Sequence, residues 1–331
     1  MARPMPTYAD VVAARARIGA LACRTPLIEH PALNAIAGGR VLLKAENLQR
    51  VGAFKFRGAY NKVAQVDGQA YPGGVVACSS GNHAQGVAAA ATLRGLKSTI
   101  VMPSDAPRLK IERTKAFGGE VVPYDRTTED RDAIAREICR TRNAAYVHPF
   151  DDPDVIAGQG TVGIEMMEQA GALELKPDIV LVGVSGGGLI GGVSLAVKET
   201  SPATQIYSVE PAGFDDLARS LARGARERNL QLSGSICDAL MAATPGELTF
   251  EMAQRNLAGG LAVTDEEAKA AVRFAFRELK LVVEPGGAVS LAAILARKMD
   301  FAGKTVMAVL SGGNIDPALF AEIILEPQHA Q

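Results

Sequence analysis

Short apolar runs alternate with longer alanine-rich segments along most of the chain. The runs have the length of strands buried on both faces, and they cover residues 41–44, 75–78, 99–102, 121–123, 179–184, 206–210 and 305–310. The segments between them have helical character and include residues 83–94, 130–141, 189–198 and 266–279. Thr264 or Asp265 before the last segment is typical of a helix start. This alternation predicts βαβ units with right-handed crossovers and parallel sheets buried on both faces.

No long linker divides the chain, so the domain boundaries are expected at turns. Two stretches, residues 71–74 and 148–153, are rich in Pro, Gly or Asp and fit this role. We therefore predict a small domain of residues 72–148 inserted into a large domain made of residues 1–71 plus 149–331. A cleft between two α/β units, at the carboxyl ends of their strands, is the expected ligand site.

The composition excludes several classes of function. The chain has 331 residues, 48% of them hydrophobic, and a net charge of -1, so no basic field attracts nucleic acid or a membrane surface. Its four cysteines are far apart in sequence, which fits a reducing compartment rather than disulfides or structural zinc. Residues 1–6 have no apolar core of a signal peptide, so we expect a soluble cytoplasmic protein.

Three of the apolar runs end in serine-glycine turns. These turns begin at Ser79, Ser185 and Ser311, and each of the first two is followed by a helical segment. A strand that ends in such a turn exposes free backbone N–H groups at the positive end of the next helix, which binds anions. Three such turns predict a ligand with several polar ends.

The second turn has two interpretations. Gly186, Gly188 and Gly191 satisfy the G-x-G-x-x-G pattern, and Glu210 ends the next strand, as in a dinucleotide-binding unit. The same glycines suit a compact phosphate cup, or merely close packing of helix on strand. The loop alone leaves an NAD-dependent oxidoreductase open as a remote alternative.

Lys55 lies between Phe54 and Phe56 and is followed by Arg57. Most lysines are solvated surface residues, but two flanking phenylalanines indicate partial burial. A desolvated lysine has a lowered pKa and acts as an amine nucleophile that forms a Schiff base. An amine nucleophile together with a cup for one phosphate is what pyridoxal phosphate (PLP) requires.

Residues 49–59 (QRVGAFKFRGA) resemble the lysine motif of the fold-type II PLP enzymes, in the serine/threonine dehydratase and serine racemase branch. The resemblance extends in order from about residue 20 to residue 318. The other matching motifs are residues 79–86, 101–103, 106–107, 148–153, 155–161, 185–189, 284–288 and 311–314. The resemblance implies an α/β protein with two open twisted parallel sheets, as in the tryptophan synthase β-subunit.

The resemblance also implies a set of cofactor-binding residues: Phe54, Lys55, Asn82, Ser185, Gly186, Gly187, Gly188, Leu189, Glu284 and Ser311. Lys55 would hold PLP as a Schiff base and later remove the Cα proton of the substrate. Residues 185–189 would bind the phosphate, and Asn82 would bind the 3-oxygen of the ring. Ser311 would meet the pyridine nitrogen with a hydroxyl, which favours expulsion of a β-leaving group over a long-lived carbanion.

The implied substrate-binding residues are Ser79, Ser80, Asn82, His83 and Arg131. The turn that precedes the helix at residue 83 would hold the substrate carboxylate. His83 is interpreted as a hydrogen-bonding residue at a helix start rather than a catalyst. Arg131 fits a solvated helix face as well as a carboxylate contact.

Ser80 matches the position at which the racemases carry a second catalytic group, on the face of Cα opposite the lysine. A serine there permits racemisation, but it also fits a simple helix cap. Residues 208–216 resemble the divalent-cation loop of the racemase branch, with Glu210, Asp216 and the Phe214 carbonyl as ligands of Mg²⁺ or Ca²⁺. A solvated acidic turn is the alternative.

Taken with the resemblance, the sequence predicts a PLP-dependent ammonia-lyase that removes water from serine or threonine. Two alternatives stay open, a serine racemase with dehydratase side activity and a dehydratase of hydroxyaspartate or phenylserine. The expected partners are a small amino-acid substrate and, from the resemblance only, a second copy of the chain in a homodimer.

Overall fold

Two β-sheets flanked by helices make up the computed structural model, which describes residues 4–125 and 127–326. Residues 1–3, part of the N-terminal stretch discussed above, lie outside the described residues. The strands are β1 Leu27–Glu29, β2 Arg40–Ala45, β3 Val75–Cys78, β4 Ser98–Pro103, β5 Glu120–Tyr124, β6 Ala145–Tyr146, β7 Ile179–Gly183, β8 Gln205–Pro211, β9 Gly259–Val263 and β10 Thr305–Leu310. Every apolar run named above therefore forms a strand.

The strands form one six-stranded sheet in the order β1-β2-β10-β7-β8-β9 and one four-stranded sheet in the order β5-β4-β3-β6. All pairings between these strands are parallel except β1 with β2, which is antiparallel. The α/β class with parallel sheets is confirmed, and the antiparallel edge strand is a difference from the prediction. The strands of the small sheet all lie within residues 72–148, although the domain boundaries themselves stay a prediction.

Successive side chains of the central strands pack into different apolar clusters, one on each face of the sheet. In β10, Val306 and Ala308 pack into one apolar cluster, whereas Met307 and Val309 pack into another. In β3, Val75 and Ala77 pack into one cluster, and Val76 and Cys78 pack into a second one. Because successive side chains of a strand point to opposite faces, helices bury both faces of each sheet. This burial explains why these strands read as unbroken apolar runs.

The helices pack on these faces and are α1 Tyr8–Ile18, α2 Pro31–Ala37, α3 Lys55–Val63, α4 Asn82–Leu93, α5 Arg108–Ala116, α6 Arg131–Arg142, α7 Pro153–Ala172, α8 Gly188–Thr200, α9 Asp216–Arg223, α10 Glu247–Asn256, α11 Asp265–Arg277, α12 Pro285–Leu295 and α13 Pro317–Leu325. Thr264 caps α11: its hydroxyl accepts from the Glu267 N–H at 3.2 Å, and Glu267 accepts from the Thr264 N–H at 2.7 Å. This reciprocal pair confirms the predicted helix start. Among the described residues, no helix has the length and apolarity needed to cross a membrane.

The longest of these helices, α7, contains several glycines, which permit close packing against neighbouring helices. A Cβ atom on Gly160 would lie 2.8 Å from the Gly192 carbonyl oxygen of α8, and one on Gly163 would lie 2.9 Å from the Val193 carbonyl oxygen. Glycine lowers helix propensity, so the sequence pattern did not mark this stretch as a helix.

Candidate functional site

A cavity of about 210 Å³ opens between the two sheets, at the carboxyl ends of β3, β7 and β10. Its lining includes Ser79, Ser185 and Ser311, which begin the three serine-glycine turns. The structure therefore brings together turns that begin 106 and 126 positions apart in the sequence. Lining residues come from both sheets, as expected of a cleft between α/β units.

Four helices begin at this cleft: α3, α4, α8 and α12. None of them has a side chain that caps its first turn. Elsewhere in the described chain, five helices have a capping side chain, from Thr7, Asp130, Asp152, Thr264 and Asp316. The first turns of α9 and α10 are bound by the distant carboxylates of Glu210 and Asp151, and among the described helices outside the cleft only α2 and α5 have neither kind of partner. Uncapped N-termini leave backbone N–H groups free at a positive dipole end, so the cleft favours an anionic ligand.

Lys55 is the first residue of α3, and its amine points into the cleft. Nζ donates to the Pro149 carbonyl oxygen at 2.7 Å and lies 5.3 Å from the centre of the Phe54 ring. Burial lowers the pKa of this amine from 10.5 to about 8. A part of the population therefore has the neutral, nucleophilic amine near neutral pH. This agrees with the burial that the flanking phenylalanines predicted.

The glycine loop at the start of α8 is shaped by its neighbours. Gly187 has φ of +93°, a conformation that favours glycine. A Cβ atom on Gly186 would lie 2.3 Å from the Phe150 ring, so only glycine fits there. Thr249 donates from its hydroxyl to the Gly186 carbonyl oxygen at 2.6 Å, while Ser185 Oγ accepts from the Ala242 N–H at 3.2 Å. These contacts hold the loop with its remaining N–H groups at the cleft.

Asn82 is held between two polar side chains at the start of α4. Its Nδ2 donates to Glu284 Oε1 at 2.6 Å, and its Oδ1 accepts from Asn314 Nδ2 at 2.7 Å. Burial raises the pKa of Glu284 to about 7, although the bond from Asn82 opposes the rise. Glu284 therefore does more than begin a helix, because it orients the amide of Asn82 at the cleft.

Ser311 and Phe54 meet through the backbone. The Phe54 N–H donates to the Ser311 carbonyl oxygen at 3.1 Å, and Ala53 and Gly312 form an isolated β-bridge beside this bond. The end of β10 is thereby joined to the segment that carries Lys55. Both Ser311 and Phe54 line the cavity.

The substrate-side residues Ser79, Ser80, His83 and Arg131 also line the cavity. Gly81 is the N-cap residue of α4 and no side chain caps this helix, so the interpretation of Ser80 as a cap is wrong. His83 is buried and its Nε2 pairs with the Val147 carbonyl oxygen at 3.0 Å. Burial, with a smaller effect of Lys55, lowers the pKa of His83 to about 3, so this ring is neutral.

Sequence reasoning missed several lining residues. Lys110 of α5 forms an ion pair with Asp238 at the cleft, and these residues belong to segments 128 positions apart. Pro149 and Phe150 also line the cleft, although residues 148–153 were predicted as a domain boundary and not as part of the site. No sequence signal indicated this ion pair, because the Asp238 side chain is half exposed and neither Lys110 nor Asp238 belongs to one of the serine-glycine turns.

Glu210 lies near the end of β8, Phe214 in the turn that follows, and Asp216 at the start of α9, and none of them lines the cavity. The Glu210 carboxylate is fully buried and accepts from the Leu217 and Ala218 N–H groups at 2.9 Å each. Because this carboxylate lies outside the cavity at the glycine loop, it does not reach a ribose bound there, and the dinucleotide interpretation of the loop is wrong. Asp216 accepts from Asn229 through Oδ1, while its buried Oδ2 has no hydrogen-bond partner.

A lysine amine of lowered pKa beside uncapped helix N-termini, in a cleft between two α/β sheets, is the arrangement that a phosphate-bearing aldehyde cofactor requires. Comparison with known families agrees: residues 20–312 match the family described as "Pyridoxal-phosphate dependent enzyme". The chain belongs to this family and is a PLP-dependent enzyme.

Three known proteins illustrate the similarity. The chain is 41% identical to L-threonine ammonia-lyase of Thermotoga maritima over 320 residues, 97% of this chain and 78% of that protein. It is 40% identical to L-threo-3-hydroxyaspartate ammonia-lyase of a Pseudomonas species over 318 residues, 96% of this chain and 98% of that protein. The structure of maize serine racemase superposes with a TM-score of 0.90 at 35% identity, covering 96% of this chain and 97% of that one.

The residues present fit PLP. The amine of Lys55 suits its aldehyde because burial keeps part of the population unprotonated. The loop at residues 185–189 presents an uncapped helix N-terminus of the kind that binds phosphate. The Phe54 ring lies beside the amine, where it can pack on a planar ring.

Proposed function

We propose that this chain removes water from a β-hydroxy amino acid, serine or threonine, and releases a 2-oxo acid and ammonia. One observation carries the proposal: the Lys55 amine, with its lowered pKa, faces a cleft bounded by uncapped helix N-termini. Membership of the PLP-dependent family, and relatives named as ammonia-lyases, support the same reaction class.

PLP, when bound, supplies an electron-withdrawing group that makes the Cα proton of an amino acid easier to remove. Lys55 holds the cofactor and, once released, its amine takes the Cα proton. The Pro149 carbonyl orients this amine through the 2.7 Å hydrogen bond. Residues 185–189 bind the phosphate, and Ser311 offers a hydroxyl to the ring nitrogen.

The N-terminal turn of α4 binds the substrate carboxylate through backbone N–H groups. Asn82 directs its amide toward the cofactor from a position fixed by Glu284 and Asn314. The β-hydroxyl takes up a proton from a neighbouring group and leaves as water, which balances the proton that Lys55 removes from Cα. The released enamine then hydrolyses to the oxo acid and ammonia. His83 acts through its bond to Val147 and not as an acid, because its ring is neutral.

Racemisation is a second candidate because Ser80 lies at the cleft and does not cap α4. The resemblance to the racemases implies that a hydroxyl at this position would serve the face of Cα opposite Lys55. The 35% identity to a structure named serine racemase agrees with this possibility.

Hydroxyaspartate is a third candidate substrate. Arg131 lies half-exposed at the cleft, and Lys110 lies there in its ion pair with Asp238. A second carboxylate on the substrate would find positive charge in this region. The Pseudomonas relative is named for that substrate.

Glu210, Asp216 and the Phe214 carbonyl are proposed to hold Mg²⁺ or Ca²⁺. Asp216 Oδ2 is buried without a partner, and burial raises the pKa of Asp216 to about 6 and that of Glu210 to about 8. A cation with oxygen ligands would compensate these two acids. The described residues contain no group of three or more His, Cys, Asp or Glu side chains suited to a metal, so backbone oxygen and water must complete the shell.

We also propose a cytoplasmic homodimer. All four cysteines are free, which fits a reducing compartment. Leu48 and Val282 are about half exposed, as apolar side chains at an interface between copies would be before assembly. Sedimentation of the purified protein at several concentrations measures the oligomeric state.

The experiment that tests the function is a substrate panel of L-serine, L-threonine and L-threo-3-hydroxyaspartate. Oxo acid and D-amino acid are measured separately, with and without a chelator, and Lys55→Ala is the inactive control. Oxo acid from serine or threonine supports the proposal. Formation of D-amino acid alone, or turnover of none of the three substrates, contradicts it.

A further inference from the structure

Arg57 lies in the first turn of α3, two residues after Lys55, and its side chain is almost completely buried. Its Nε and Nη2 donate to the two carboxylate oxygens of Glu46, each at 2.8 Å. Its Nη1 and Nη2 donate to the two oxygens of Glu165 at 2.7 and 3.0 Å. One guanidinium therefore binds two carboxylates, each through two hydrogen bonds.

Lys44 completes this buried group, called here the Arg57 cluster: Lys44, Glu46, Arg57 and Glu165. The Lys44 amine donates to Glu165 Oε2 at 2.6 Å and to the Thr25 carbonyl oxygen at 2.7 Å. The formal charges of the cluster, two positive and two negative, balance. Burial by itself would lower the pKa of Arg57, but the carboxylates of Glu46 and Glu165 outweigh this effect and raise the pKa. The guanidinium of Arg57 is therefore charged throughout the neutral range.

A buried ion pair is a poor source of stability compared with apolar packing, but its geometry is directional. A guanidinium is planar and binds a carboxylate through two parallel hydrogen bonds, which a lysine amine cannot do. The Arg57 cluster is thus better suited to fixing an orientation than to stabilising the fold.

The carboxylates of Glu46 and Glu165 come from two different elements. Glu46 follows the end of β2, and Glu165 lies on α7, so Arg57 ties α3 to both. At Phe54, the N-cap position of α3, no side chain caps the helix. Two other hydrogen bonds also hold this turn, from the Gly58 N–H to Gln159 Oε1 at 3.1 Å and from the Phe54 N–H to the Ser311 carbonyl oxygen at 3.1 Å. The guanidinium contacts of Arg57 are the ones that oppose rotation of the turn through charged, two-point hydrogen bonds.

We propose that Arg57 is a positioning residue for Lys55: its two-carboxylate contact fixes the rotation of the first turn of α3, and with it the placement of the Lys55 amine against the Pro149 carbonyl and the cofactor. This inference rests on the proposed function only for its kinetic test. Attachment of the cofactor to Lys55 is measured independently.

The test compares Arg57→Lys with Lys44→Met in the PLP-loaded enzyme. Both variants disturb the same buried cluster, but Lys44 lies on β2 and has no contact with α3 among its hydrogen bonds. Three quantities are measured: the melting temperature, the pH titration of the visible absorbance of the Lys55–cofactor linkage, and kcat with KM. Borohydride reduction and peptide mass measure the stoichiometry of the linkage.

For Arg57→Lys we expect a shifted absorbance titration and a fall in kcat of about tenfold to a hundredfold, the scale of a misplacement near 1 Å, with KM changed less than about threefold. Lys44→Met should lower the melting temperature but leave the absorbance titration unchanged. Equal effects of both variants on the titration, or an unchanged titration in Arg57→Lys, would show that the cluster only supports the fold and would overturn the proposal.

If Arg57→Lys does not fold, Glu165→Gln replaces it, because the amide keeps the shape of the side chain and removes one charged acceptor from Arg57. Its absorbance titration is then compared with that of Lys44→Met in the same way. Equal effects of the two variants, or an unchanged titration in Glu165→Gln, would again overturn the proposal. Failure of the wild-type enzyme to produce oxo acid would reject the proposed function, whereas the absorbance titration would still decide the role of Arg57.

Discussion

Gly58 and Gly158 bring the backbones of α3 and α7 into direct contact, since a Cβ atom on Gly158 would lie 2.6 Å from Gly58 Cα. The same Cβ atom would lie 2.7 Å from the Arg57 carbonyl oxygen. The helix that carries the reactive lysine is therefore positioned by a glycine 100 residues away in sequence. Neither backbone can move aside as a flexible side chain would.

This contact predicts the effect of Gly158→Ala. The added methyl group should destabilise the protein by about 2 kcal/mol or more, because it must displace backbone rather than side chain. Gly171→Ala is a matched control on the same helix, since a Cβ atom there meets nothing within 4 Å. The control should stabilise by roughly 0.5 to 1 kcal/mol. Urea unfolding of both variants measures the difference, and equal stabilities would contradict the predicted contact.

Lys55→Met should stabilise the cofactor-free protein at pH 7. Burial lowers the folded-state pKa of this amine from 10.5 to about 8, which corresponds to up to about 3 kcal/mol against the charged form. This destabilisation of the folded protein has its full size below pH 8, where the Lys55 amine is protonated in both the folded and the unfolded state. It shrinks between pH 8 and 10.5, because the folded state releases its proton first.

Thermal unfolding of wild type and Lys55→Met across pH 7 to 10.5 measures this effect. The difference between the melting temperatures should be largest at pH 7 and approach zero at the upper end. Lys115→Met, at an exposed position of α5, provides the control and should show little pH dependence. A constant difference across the range would mean that the amine of Lys55 is solvated.

Ser80→Ala should abolish formation of the D-isomer from L-serine and leave elimination largely intact. The reason is that racemisation needs a proton donor on the second face of Cα, whereas elimination needs only Lys55. Chiral chromatography and an oxo-acid assay on the same reaction measure both activities. A parallel loss of both activities would reject the assignment of one group to each face.

Added Mg²⁺ or Ca²⁺ should raise the melting temperature, and a chelator should reverse the change, if Asp216 and Glu210 bind a cation. Asp216→Asn should abolish this response, because it removes the buried oxygen that has no partner. Asp215→Asn is the control: Asp215 forms an ion pair with Arg219 and is not among the proposed ligands. A response that survives in Asp216→Asn would place the cation elsewhere.

Much of the architecture is readable in the sequence because the central strands are buried on both faces. β3, β7 and β10 are unbroken apolar runs, and the turns after them contain the residues of the cleft. Three strands escaped prediction for identifiable reasons. β1 has only three residues and β6 only two, whereas β9 begins with two glycines and forms by pairing with β8 at the edge of the sheet.

The parts of the site that the sequence could not reveal depend on contacts between distant segments. Lys110 and Asp238 meet only because α5 approaches the loop before α10, and no local pattern encodes that approach. Glu210 satisfied a dinucleotide pattern by spacing, yet in the fold its carboxylate binds the start of α9. Arg57 was visible in the lysine motif, but its two carboxylate partners are 11 and 108 positions away.

The uncapped starts of α4 and α8 have a practical consequence for anyone who handles this enzyme. Sulfate or inorganic phosphate from a purification buffer can occupy the same backbone N–H groups as the cofactor phosphate and the substrate carboxylate. Reconstitution and inhibition studies should therefore use buffers with bulky or uncharged components, and the apparent affinity for both small molecules should weaken as oxyanions accumulate.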